Sequence, residues 1–121
     1  MPLSIISIPQ TIHKTIQQLS YEIFGQPIGS APTVVINHAL TGNSTIIGKN
    51  GWWNDVVGNN KTINILKYTV IAFNIPGNGY DDFYIFDYKL ITTKQIAEIF
   101  WYGLDHLKIQ NLFHLMIYCL K

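Results

Sequence analysis

Thr33-Val34-Val35-Ile36-Asn37, followed without a break by His38-Ala39-Leu40-Thr41-Gly42, is the stretch on which the reading of the fold turns. Its first half is a short, continuous apolar run bounded by Pro32. That is the profile of a strand covered on both faces, as in a parallel sheet. Its second half is small, polar and ends in Gly. An α/β enzyme tends to place backbone N–H groups beside a reacting carbonyl in such a turn after a buried strand.

A second buried strand is expected at Tyr68 to Asn74, ended by Pro76-Gly77-Asn78-Gly79, and a third at Leu112 to Tyr118. Between them lies the best helix in the chain. Thr92 can cap its N-terminus with Gln95 in capping-box position, and Ile96, Ile99, Phe100, Gly103, Leu104 and Leu107 recur at helical spacing. Upstream, Thr15 to Phe24 alternates weakly and breaks at Gly25-Gln26-Pro27, which reads as one or two short strands ending in a turn. Gly42 to Gly51 is loop-like, and Trp52 to Val57 is expected to form a helical turn closed by Gly58-Asn59-Asn60. Strand, short helix, strand, helix, strand is the alternation of an α/β fold with a mostly parallel sheet and flanking helices.

At 121 residues the chain is long enough for one small domain and too short for two. Only 12% of its residues are charged, against the roughly 25% usual in soluble domains. With 48% hydrophobic residues, it suits the interior half of a larger fold better than a self-contained small domain. A net charge of +1 gives no electrostatic footprint for nucleic acid or an anionic membrane. Cys119 is the only cysteine, which excludes an intrachain disulfide and fits a reducing, cytoplasmic setting. Met1 to Pro9 lacks the basic start and cleavage site of a signal peptide, and Leu112 to Leu120 is too short to span a bilayer. Asn43-Ser44-Thr45 and Asn60-Lys61-Thr62 match the glycosylation sequon, read here as chance matches.

His13, His38, His106 and His114 show no metal-ligand spacing with one another or with Cys119, so no metal or other cofactor is expected. Gly77-Asn78-Gly79 lacks the third glycine of a dinucleotide fingerprint and reads as a turn. Asp81, Asp82 and Asp87 read as a solvated loop.

His38-Ala39-Leu40-Thr41-Gly42, then Trp52-Trp53-Asn54-Asp55-Val56-Val57-Gly58, then Tyr68-x-Val70-Ile71-x-x-Asn74 and a Gly-rich turn, resemble the N-terminal third of homoserine O-acetyltransferases. These are α/β-hydrolase-fold enzymes of methionine biosynthesis. The likeness runs from about Tyr21 to Phe113, and the turn Asn74 to Asp81 departs from the family pattern. The resemblance implies acetyl transfer from acetyl-CoA to a serine nucleophile, and then to the hydroxyl of homoserine. It implies that the backbone N–H of Leu40 is one of two oxyanion-hole donors, with Ala39 and Gly42 small enough to admit the acyl group. Trp52 and Trp53 are read as packing residues that could also line an acyl pocket. His38 is read as a positioning or turn-stabilising residue, because the triad His of this fold comes last in chain order.

In that family, Leu-Phe and three apolar residues precede Gly-Gly-Ser-x-Gly-Gly. Here Leu112-Phe113 is followed by His114-Leu115-Met116-Ile117-Tyr118-Cys119-Leu120-Lys121. Cys119 falls where the serine belongs, but Ile117, Tyr118 and Lys121 stand where the strained elbow needs glycines. The expectation is therefore one partial α/β-hydrolase domain over residues 1–121, truncated before the nucleophile elbow and inactive alone. Three alternatives stay open on the residues: a fragment of another esterase or hydrolase of the fold, one half of a split protein docking on a C-terminal partner, or a decayed gene product. A sheet ending at Leu112–Tyr118 would leave an apolar edge. The chain expressed alone is accordingly expected to be poorly soluble or molten, and a sharp, cooperative melt from a monomer would contradict the fragment reading.

Overall fold

The computed structural model describes residues 3–38, 43–76, 92–109 and the backbone of 112–117. Its strands are β1 (Ser4–Ser7), β2 (Gln18–Gly25), β3 (Thr33–Asn37), β4 (Val57–Gly58), β5 (Ile63–Asn64), β6 (Thr69–Phe73) and β7 (Leu112–Ile117), and its helix is α1 (Thr93–His106). Five strands form one sheet in the order β1-β2-β6-β3-β7, while β4 and β5 pair separately. The run that decided the sequence reading lies between two parallel neighbours. Val35 of β3 stands beside Ile71 of β6 on one side and Leu115 of β7 on the other. Val34, Val35 and Ile36 are all buried, as a strand covered on both faces requires.

The side chains of the sheet sort by alternation into two cores. On one face Leu19, Val35, Ile71 and Phe73 pack with Ile99 and Leu104 of α1. On the other, Phe24, Val34, Ile36, Val70 and Ala72 pack with Ile46, Val57 and Ile63 of the connection between β3 and β6. The two crossovers therefore cover opposite faces. Parallel crossovers keep one hand, so a chain that steps from β3 to β6 and then back past β3 to β7 must change faces.

Towards its N-terminus the sheet departs from the expected parallel pattern. β1 runs antiparallel to β2, and β2 antiparallel to β6. The strand Ser4–Ser7 was not expected from the sequence; Ile6 is buried and Ile5 is exposed, as suits an edge strand with one face on the core. The expected turn after Trp52 forms, with the N–H groups of Val56 and Val57 both donating to the Trp53 carbonyl at 3.1 and 3.0 Å. It gives way at once to β4, which pairs parallel with β5.

The helix follows its sequence signals closely. Thr92 and Gln95 form the reciprocal capping box: Gln95 N–H donates to Thr92 Oγ1 at 3.1 Å, and Thr92 N–H to Gln95 Oε1 at 2.9 Å. Its apolar stripe buries Ile99, Gly103 and Leu104. At Gly103 a Cβ would lie 2.6 Å from Leu19 Cδ2 and 3.0 Å from Phe73 Cε1, so glycine lets the helix lie close on the sheet. Phe100 stacks on Phe73 with centroids 5.2 Å apart. Among the described residues no helix is long and apolar enough to cross a membrane.

The C-terminus of α1 closes on a residue in the left-handed region. Lys108 has φ 61°, its N–H donates to the Asp105 carbonyl, and the Ile109 N–H donates to Leu104. This is the Schellman pattern, with the apolar pair Leu104 and Ile109 both buried. Glycine adopts that conformation without the ~1 kcal/mol or more that a Cβ costs there. Lys108→Gly should thus slow amide exchange at Ile109 by about fivefold, whereas Lys108→Ala should leave it unchanged.

Candidate functional site

Because the crossovers leaving β3 and β6 cover opposite faces, the carboxyl ends of these strands open into the crevice between them. In open α/β sheets that switch point is where ligands bind. The residues gathered there are Asn37 and His38 at the exit of β3, and Asn74 and Ile75 at the exit of β6. Ser20 and Glu22 of β2 and Asn43, Ser44 and Thr45 of the returning chain join them.

Asn74 is 1% exposed and fully engaged. Its Nδ2 donates to Ser20 Oγ at 2.9 Å and to Ser44 Oγ at 2.8 Å, while its Oδ1 accepts from the Ser44 N–H at 2.8 Å. Three bonds of fixed polarity set the orientation of the amide. The Asn74 N–H also donates to the Ser20 carbonyl, extending the β2–β6 ladder by one rung. Ser44 Oγ in turn donates to Glu22 Oε2 at 2.5 Å, and Thr45 Oγ1 donates to the same oxygen at 3.1 Å. Glu22 is only 5% exposed.

On the other flank, His38 is buried and its Nε2 accepts the Ile75 N–H at 3.0 Å. An accepting Nε2 belongs to the neutral imidazole protonated on Nδ1. His38 thus ties the exit of β3 to the exit of β6. Asn37 Oδ1 is buried with no hydrogen-bond partner among the described residues. An acceptor left so costs about 1–3 kcal/mol unless a donor reaches it.

Leu40 and Gly42, expected as the oxyanion donor and a substrate contact, lie outside the described residues, as do Ala39, Thr41, Cys119, Asp81, Asp82 and Asp87. The structure brings together the two flanks of that turn instead: His38 and Ser44 are both held by the Asn74–Ile75 pair. Trp52 and Trp53, within the β3–β6 connection, stack with centroids 5.5 Å apart and an interplanar angle of 17° and pack against the second core. Trp52 Nε1 donates to the Asn43 carbonyl at 2.9 Å, joining the pair to the segment that leaves the turn. His13 caps a local turn, its Nδ1 accepting from Thr15 and Ile16 N–H. Among the described residues no three His, Cys, Asp or Glu side chains gather as a metal site.

Sequence reading missed Ser20, Glu22, Ser44 and Asn74 as a group. In Gln18-Leu19-Ser20-Tyr21-Glu22-Ile23-Phe24-Gly25 the alternation marks Ser20 and Glu22 as one polar face. Such a face ordinarily meets solvent, but here the β3–β6 connection covers it. The only signal pointing inward was Phe24 on the same face, which packs in the second core.

Comparison with known proteins places these observations in context. Residues 32–120 match a family described as alpha/beta hydrolase fold. The homoserine O-acetyltransferase of Geotalea uraniireducens is 27% identical over 118 residues, an alignment covering 81% of this chain and 32% of that protein. The homoserine O-acetyltransferase of Symbiobacterium thermophilum is 40% identical over 68 residues, covering 49% of this chain and 18% of that protein. The chain thus spans about a third or less of the curated relatives it matches here. Among solved structures, esterase E22 superposes with a TM-score of 0.76 at 18% identity, over 98% of this chain and 40% of its own. The homoserine O-acetyltransferase from Staphylococcus aureus gives a TM-score of 0.67 at 24% identity, over 84% of this chain and 32% of its own. At these identities the superpositions speak to the fold alone.

Asn74→Ala tests the junction of the two strand exits. It leaves the buried Ser44 N–H without an acceptor, a loss of about 1–3 kcal/mol. Amide exchange at Ser44 should then accelerate by roughly five- to a hundredfold, with exchange in the middle of α1 unchanged.

Proposed function

The chain belongs to the alpha/beta hydrolase fold family, and from that premise we propose that it is the N-terminal part of an acyltransferase moving acetyl from acetyl-CoA to the hydroxyl of homoserine. The observation that carries this reading lies at the switch point of the sheet, where His38 and Ser44, which bracket Ala39-Leu40-Thr41-Gly42 in the sequence, are bound to consecutive residues after β6. The alignment with the Geotalea uraniireducens homoserine O-acetyltransferase, at 81% of this chain, is long enough to take in this region.

In this reading the Leu40 N–H donates to the thioester oxygen as it becomes an alkoxide. Attack by a serine hydroxyl forms the new C–O bond, and collapse of the tetrahedral adduct breaks the C–S bond and releases the CoA thiol. The homoserine hydroxyl then attacks the acyl-serine through a second oxyanion in the same place, and collapse breaks the bond from the serine oxygen to the acetyl carbon, the proton lost by homoserine returning to the serine hydroxyl. A preorganised donor contributes here because it meets charge present only in the transition state; losing one costs roughly 2.7–4 kcal/mol. Gly42, Trp52 and Trp53 are proposed to border the acyl group. Residues 1–121 contain no Gly-x-Ser-x-Gly. The nucleophile, second donor, acid and base are therefore proposed to come from further sequence or from a separately encoded C-terminal half. A lone cysteine and substrates of central biosynthesis support a cytoplasmic setting.

Reconstitution tests the proposal. Residues 1–121 are refolded with the remaining C-terminal portion of the Geotalea uraniireducens enzyme, and CoA release from acetyl-CoA is followed with and without homoserine. The expected outcome is homoserine-dependent release by the mixture and none by either part alone. Equal release without homoserine would make the chain part of a hydrolase. Transfer by residues 1–121 alone, lost in Cys119→Ala, would assign the nucleophile to Cys119 and overturn the proposal.

A further inference from the structure

We propose that Glu22 is a positioning residue for the turn between His38 and Ser44, acting through the Ser44 hydroxyl. The inference rests on the reading of that turn as the oxyanion-hole segment and assigns it a support.

A buried carboxylate is an expensive way to fill this position. The neighbours of Glu22 on the same face of the sheet, Phe24, Val70 and Ala72, are apolar and buried, so an apolar side chain would serve the core better. The Cα partner of Glu22 across the strand pair is Ala72, whose small side chain leaves room for the carboxylate and the returning chain. What the carboxylate does there is accept two hydroxyls from consecutive residues, Ser44 at 2.5 Å and Thr45 at 3.1 Å. Hydrogen bonds to an ionised acceptor are the shorter and stronger kind.

The polarity of the network follows from this acceptor. With its proton committed to Glu22, Ser44 Oγ presents lone pairs to Asn74 Nδ2, which donates at 2.8 Å. The amide is thereby turned so that Asn74 Oδ1 meets the Ser44 N–H. Glu22 thus orders a backbone position, that of Ser44, through a chain of bonds in which no donor can be exchanged for an acceptor. The His38 bond to Ile75 N–H supplies the opposite anchor. Backbone donors for a developing alkoxide must be held within about 0.5 Å of the productive position. A displacement of about 1 Å can cost roughly a hundredfold in rate. An anchor on one flank of such a turn therefore acts on turnover and leaves substrate affinity alone.

Glu22→Gln is the informative variant, because it keeps the shape and removes the charge. Two measurements decide the matter. In residues 1–121 refolded with the C-terminal portion, amide exchange at Ser44 and Thr45 should rise about tenfold in Glu22→Gln while exchange at Val70 to Ala72 is unchanged. In the reconstituted enzyme, kcat should fall about tenfold with KM for acetyl-CoA and for homoserine within about twofold. A Ser44→Ala background should absorb the effect that passes through the Ser44 hydroxyl, so that adding Glu22→Gln to it changes kcat and exchange at residue 44 by less than about twofold. Unchanged exchange in Glu22→Gln, a KM effect in place of a kcat effect, or full additivity with Ser44→Ala would each overturn the assignment. Should the wild-type mixture show no transfer, the acyltransferase reading falls, and exchange at Ser44 and Thr45 still decides whether Glu22 holds the flank.

Discussion

The amide of Asn74 joins three parts of the chain that are far apart in sequence: β2 through Ser20, the end of β6 through its own backbone, and the returning segment through Ser44. Each of its bonds is buried, so none is contested by water, and each would leave an unsatisfied group if broken. The geometry of the crevice depends on this junction. The Ser44 N–H bond fixes where the segment leaving residue 42 meets the sheet, and the stacked tryptophans are joined to that segment through Asn43.

That junction matters because of where the sheet puts it. Parallel pairing of β3 with both β6 and β7 forces the two connections onto opposite faces, and the ends of the central strands are left between them. One face is closed by α1, drawn close by Gly103 and by the stacking of Phe100 on Phe73. The other is closed by an irregular connection, whose order comes from Ile46, Val57 and Ile63 in the core and from the polar network at its start. A helix carries its own backbone bonds. An irregular segment has to borrow partners from elsewhere, which is why a carboxylate, two serines and an asparagine are buried on that side.

How much was legible depended on whether the signal was local. The central strands and the helix were read to within a residue or two, since a β-branched run, a capping box and a 3.6-residue stripe are each carried by neighbours in sequence. The strand Ser4–Ser7 escaped because four residues with two polar ends carry little periodicity, and its pairing with β2 is what makes it a strand. The antiparallel start of the sheet escaped for the same reason: strand direction is a property of pairs. The parts of the proposed site at Leu40 and Gly42 follow from family resemblance, whereas the roles of Glu22 and Asn74 follow from tertiary contacts.

By itself, then, the sequence determined the α/β character, the buried strands Thr33–Asn37 and Thr69–Phe73, the boundaries of the helix, and the family to which the His38–Gly42 turn and the Trp52-Trp53 pair point. The strands and the helix reside in short windows whose propensities and spacings decide them without outside help, whereas the family is what the resemblance of those motifs implies. Only the tertiary structure decided that the polar face of β2 turns inward and that the two flanks of the turn are tied to Asn74 and Ile75. Ser20, Glu22, Ser44 and Asn74 span 54 residues of chain between Ser20 and Asn74. Their hydrogen bonds exist only once the sheet has set β2 beside β6 and the connection has folded back over both.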